Sequence, residues 1–113
     1  MSKEPIEYLK HIRDECSYIL SVISEEITFE KFLSDETLKR AIVRSLEIIG
    51  EATKKIPADF KLKWEKINWK NMAGMRDRLI HDYMGVNYSI VWDVITNKIP
   101  ELHKQIIDVI ENE

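Results

Sequence analysis

A chain of 113 residues, 44% hydrophobic and 33% charged, with three glycines and three prolines, has room for one core. That composition suits a soluble helical domain and excludes a disordered segment or a β-sandwich. The single cysteine, Cys16, excludes an internal disulfide or a cysteine-based zinc site, and a formal charge of -3 argues against a general nucleic-acid coat.

No apolar run approaches the roughly 18 residues needed to span a bilayer, and the start, Met1 to Pro5, lacks the apolar core of a signal peptide. No membrane association and a cytoplasmic location are therefore expected. Charge is unevenly spread. Between Lys54 and Arg78 stand eight basic residues against three acidic ones, which leaves the remainder at -8 within the total of -3. Such a stretch attracts a polyanion or forms a solvated lysine-rich face, and sequence alone does not separate the two.

Taken in chain order, Pro5 opens a first helix whose apolar positions Leu9, Ile12, Cys16, Ile19, Leu20 and Ile23 recur at three and four, ending near Ser24. Thr28 caps a short helical piece containing Phe29, Phe32 and Leu33, and Ser34 or Asp35 caps the next long helix. That helix carries Leu38, Ala41, Ile42, Ser45, Ile49, Ala52 and Ile56 on one stripe and stops at Pro57. Its other stripe is Arg40, Arg44, Glu47, Glu51 and Lys55, either a solvated charge ladder or an inward polar network.

Asp59 to Asn68 reads as an irregular connector, and Asn68 as the cap of a helix from Trp69 with Met72, Met75 and Leu79 on its apolar edge. Gly74 lies inside that helix at a cost of about 1 kcal/mol relative to alanine. Gly85 ends the segment, since glycine takes positive φ freely. Asn87 caps a last helix reaching about Ile110 through Val91, Val94, Ile95, Ile99, Leu102, Ile106 and Val109, with a kink expected at Pro100. The expected fold is all-α: one domain over 1–113, an antiparallel bundle of four to five helices.

Chemistry concentrates in Arg76-Asp77-Arg78-Leu79-Ile80-His81-Asp82-Tyr83. Arginine forks onto phosphate oxygens, and histidine exchanges a proton near neutral pH. On a straight helix Arg76 and Tyr83 lie about 20° apart, whereas His81 lies about 140° from Arg76. Joint action on one phosphate therefore requires the helix to loosen near His81 or a second copy to bring its own residues alongside. The bland alternative pairs Arg76 with Glu47 or Glu51 and leaves His81 and Tyr83 at a helix end.

Arg76, His81 and Tyr83 at the spacing R-x4-H-x-Y resemble the signature of HEPN-domain toxins of the HepT type. Arg44-Ser45-Leu46-Glu47-Ile48-Ile49-Gly50-Glu51-Ala52, Ile67-Asn68-Trp69, Met72-Ala73-Gly74-Met75 and Ile90-Val91-Trp92-Asp93 are similar to that family in the same order, so the resemblance covers essentially the whole chain. It implies a HEPN-like homodimer and a metal-independent ribonuclease toxin of a type VII-like toxin-antitoxin pair, with no metal or other cofactor. Arg76 and His81 would be catalytic, with Asp77, Glu47 and Glu51 in support. The implied partner is a nucleotidyltransferase antitoxin of the MntA type, which would inactivate the toxin by transferring AMP from ATP onto Tyr83.

Elsewhere, His11 and His103 have no metal-ligand spacing and read as surface or helix-end residues. Trp64, Trp69 and Trp92 either stack bases or anchor a core or dimer contact; the four methionines read as packing. A second reading of the whole chain stays open: a non-catalytic helical dimer that binds a nucleotidyltransferase partner or nucleotide and uses Arg76 only to hold phosphate.

Overall fold

The computed structural model describes residues 4–24, 26–79 and 85–113, apart from the side chain of Arg76. Among these residues the chain is all-helical, without strands. In order come α1 (Pro5–Val22), α2 (Phe29–Ser34), α3 (Glu36–Lys54), α4 (Ala58–Lys63), α5 (Trp69–Ala73), α6 (Met75–Leu79), α7 (Tyr88–Asp93), a π-helical turn (Val94–Lys98) and α8 (Ile99–Asn112). No helix among the described residues is long and apolar enough to cross a membrane.

The helix starts follow the expected capping chemistry. Thr28 Oγ1 accepts from Lys31 N at 3.1 Å, Asp35 from Leu38 N at 3.0 Å, and Asn68 from Asn71 N at 3.1 Å. Asn87 Oδ1 accepts from both Ser89 N and Ile90 N, at 3.1 and 3.2 Å. Each bond satisfies a backbone donor left orphaned in a first helical turn.

The centre of the molecule is α1 packed against α3 and α8. Leu9, Ile12, Cys16 and Ile19 of α1 meet Ile42, Leu46 and Ile49 of α3 and Ile99, Ile106 and Val109 of α8 in one buried cluster. The apolar stripes read from sequence are thus the buried faces. On α3 burial is wider than the single stripe, taking in Val43, Leu46, Gly50 and Thr53. Thr53 Oγ1 satisfies itself there by donating to Ile49 O at 2.7 Å.

Among the described residues several helix boundaries differ from those expected. The supposed connector from Asp59 contains α4, and α3 ends at Lys54, so Pro57 starts the next helix instead of stopping the previous one. The Trp69 helix divides at Gly74 into α5 and α6. In the last helix the ladder widens ahead of Pro100: Ile99 N donates to Val94 O, five residues back. Proline carries no N–H and crowds the carbonyl four residues earlier, and the π-turn takes up that mismatch with Pro100 in the first turn of α8.

Candidate active-site helix and the groove beside it

The segment that holds the arginine-histidine motif is anchored from its N-terminal side. Trp69 is buried, and its indole Nε1 donates to Lys61 O at 3.2 Å and Trp64 O at 3.0 Å, tying the start of α5 to the α4 region. Met72, Met75 and Leu79 are buried, and α5 and α6 both pack on α3. Across the Gly74 junction the backbone bonds continue, from Gly74 N to Lys70 O at 3.0 Å and from Arg78 N to Gly74 O at 3.1 Å. Helix α6 therefore presents the backbone of Arg76 beside the buried Met75, in a fixed register against α3.

Asp77 and Arg78 are exposed on α6. The Arg76 side chain, His81, Asp82 and Tyr83 lie outside the described residues, so their convergence is not part of the described geometry. Beyond them Gly85 has φ 121°, a conformation that a side chain would strain, which agrees with its reading as a break.

Glu47 and Glu51 stand on α3, the helix that supports α5 and α6. Glu47 is 22% exposed and faces Arg44, itself 68% exposed, at 3.8 Å; Arg40 reaches Glu36 at 4.0 Å. These are long contacts in water, and the Arg40 and Arg44 part of the stripe is a solvated ladder. Arg44, Glu51 and Lys55 also border a shallow depression against Tyr8 and His11 of α1.

A larger concavity lies between α5–α6 and the α7 to α8 segment. Its volume is about 510 Å³; Met72, Met75 and Leu79 line it from one side and Val94 and Leu102 from the other. Asn71, Arg78 and Gln105 supply polar groups to the lining. The groove carries no local sequence signal because its two walls, residues 68–79 and 90–105, come together only in the fold, and the π-turn contributes Val94 and Lys98 to one wall.

The remaining sequence candidates find structural partners. His103 Nε2 and Ser17 Oγ share a hydrogen bond at 3.0 Å between α8 and α1, while His11 is exposed. Trp64 Nε1 donates to Glu113 Oε2 at 2.8 Å, and Trp92 packs on Phe29 and Phe32 at centroid distances of 5.7 and 5.4 Å. The basic stretch is partly neutralised by the C-terminal helix, Lys63 pairing with Glu113 at 2.8 Å and Lys66 with Asp108 at 3.1 Å.

Against known families, residues 6–109 match the model described as ribonuclease HepT-like. The chain belongs to the HepT-like ribonuclease family. A relative from Caldanaerobacter subterraneus subsp. tengcongensis, named "Putative RNase TTE0752", is 50% identical over 98% of both chains. A relative from Thermococcus cleftensis, named "Probable ribonuclease HepT", is 43% identical over 90% of this chain and 92% of its own length. No solved structure matches. The HepT-like match spans α6, the motif that follows it and both walls of the groove.

Proposed function

We propose that this chain is a metal-independent endoribonuclease, the toxin of a two-component pair, acting in the cytoplasm as a homodimer. The observation that carries the reading is the R-x4-H-x-Y run in a HepT-like chain, opening on a helix held against the core by Trp69, Met72 and Met75. The ribose 2'-hydroxyl attacks the adjacent phosphorus and the bond to the 5'-oxygen breaks, leaving a 2',3'-cyclic phosphate and a 5'-hydroxyl. His81 moves the proton, a contribution of about 10² to 10⁴ in rate. Arg76 holds the phosphate and stabilises the charge gathering on its oxygens. Asp77 orients a neighbouring group, and Glu47 and Glu51 support the arginine side of the site from α3.

Tyr83 is the off switch in this reading. Its hydroxyl attacks the α-phosphorus of ATP on a nucleotidyltransferase antitoxin, pyrophosphate leaves, and the AMP placed beside Arg76 and His81 blocks RNA by charge and bulk. Intact mass of the protein made with and without a co-expressed nucleotidyltransferase antitoxin tests the switch. Mass excess in AMP-sized steps, mapped to Tyr83 and present only with the partner, is expected; an unmodified mass in both preparations contradicts it.

A further inference from the structure

The groove beside α6 has no part in the reaction just described, yet its lining combines buried apolar residues with amide and charged side chains. At about 510 Å³ it falls within the range of small-molecule pockets. Its lining is mixed, the largely buried Met72, Met75 and Leu79 standing beside polar side chains, and a methionine edge makes favourable contacts with an aromatic ring. Asn71 and Gln105 offer amides that both donate and accept, the requirement for reading the edge of a base. Among the described residues the side chains of Asn71, Arg78 and Gln105 make no hydrogen bond or ion pair with protein.

The charge of the lining selects the same class of ligand. Arg78 and Lys98 are balanced by Asp93 and Glu101, so the groove as a whole suits a neutral ring better than a bare anion. One cation of the lining, Arg78, is exposed on α6 and can reach a phosphate of a strand laid across the groove. A docked protein helix would instead ask for apolar pockets repeated along its length, with few buried amides to satisfy. Sequence-selective RNA recognition commonly takes an unstacked base into such a pocket and hydrogen-bonds its edges.

We infer that this groove is a nucleotide subsite of the RNA substrate, receiving one unstacked base next to the scissile phosphate. Asn71 and Gln105 read the base, and Arg78 holds the phosphate that follows it. The inference rests on the ribonuclease reading above and makes the groove the source of sequence preference at the cut. Base contacts specify and phosphate contacts position, so the two kinds of residue separate by experiment.

The test uses the full chain and short RNAs that differ only at the nucleotides flanking the cut, with thermal unfolding as the check on folding. Asn71→Ala and Gln105→Ala are expected to lower kcat/KM for the preferred nucleotide about tenfold while changing the others little, so that preference flattens. Arg78→Ala is expected to lower kcat/KM for all nucleotides alike and to leave preference intact. If the wild type cuts RNA and all three folded variants keep its base pattern and its kcat/KM, the subsite is overturned and the ribonuclease reading stands. Variants that alter the oligomeric mass while base preference is intact overturn it in favour of a protein contact. A wild type that cuts no RNA overturns both.

Discussion

Lys39 is the residue whose role composition conceals most. It is 9% exposed, pairs with Glu36 at 2.8 Å and lies 4.6 Å from the centroid of the Tyr88 ring. The ion pair and aromatic face compensate a cation that would otherwise lose water without return. The same contact holds the Glu36 carboxyl below its usual range, through the hydrogen bond and charge of Lys39. A lowered carboxylate pKa contributes stability above the unfolded value that is lost as pH falls through the folded one, a small effect at so exposed an acid. Replacing Lys39 by alanine is expected to cost about 1 kcal/mol, read from urea unfolding. Cys16 gives a sharper residue-scale prediction. Burial, then the charge of Glu15, pushes its thiol up from 9.0 to about 12. The folded protein should resist alkylation at pH 8 and react fully once unfolded; the stability tied to this thiol should fall as pH rises from about 9 towards about 12, because only the unfolded chain ionises there.

At the scale of elements, helix starts with a capping side chain were the most legible feature of the chain and helix interruptions the least. Thr28, Asp35, Asn68 and Asn87 each announce a start because a short polar side chain can accept from the exposed first turn, and all four do so. Asn87→Ala is accordingly expected to destabilise by about 1 kcal/mol, the ordinary worth of such a cap. The interruptions depend on neighbours. Gly74 has φ -82° and ψ -3°, values open to any residue, and an added Cβ would meet Lys70 O at 3.3 Å. Gly74→Ala should therefore gain less than the full propensity difference of about 1 kcal/mol. Gly85→Ala should lose about 1 kcal/mol or more, since φ 121° strains any side chain. Thermal unfolding of the two variants side by side checks the contrast. Pro100 signals a disturbance in the last helix, and the disturbance includes a widened turn ahead of it, set by packing that keeps Ile99 and Leu102 buried.

For the whole molecule, periodicity located the core because α1, α3 and α8 each bury one continuous apolar face against the others. Phe32 shows what that pattern omits: it belongs to a short helix yet is fully buried against Trp92 and Tyr88, joining α2 to α7. Phe32→Ala should cost about 3–5 kcal/mol in unfolding experiments. The candidate site stands on the sequence. Spacing singled out Arg76, His81 and Tyr83, and the described structure supplies the anchored helix that carries the arginine backbone. The groove was not legible, since Asn71, Arg78 and Gln105 form no local motif and meet only when the chain folds back. Nor did the basic stretch disclose that Asp108 of α8 and Glu113 just after it pair with two of its lysines.

Metal-free cleavage of RNA by Arg76 and His81 is tested by incubating purified, unmodified protein with RNA in the presence of a chelator, alongside Arg76→Ala and His81→Ala. Cleavage by the wild type and its loss by about 10² or more in both variants, with unchanged unfolding profiles, is the predicted result. Intact RNA with the folded, unmodified wild type, or undiminished cleavage by either variant, would contradict it.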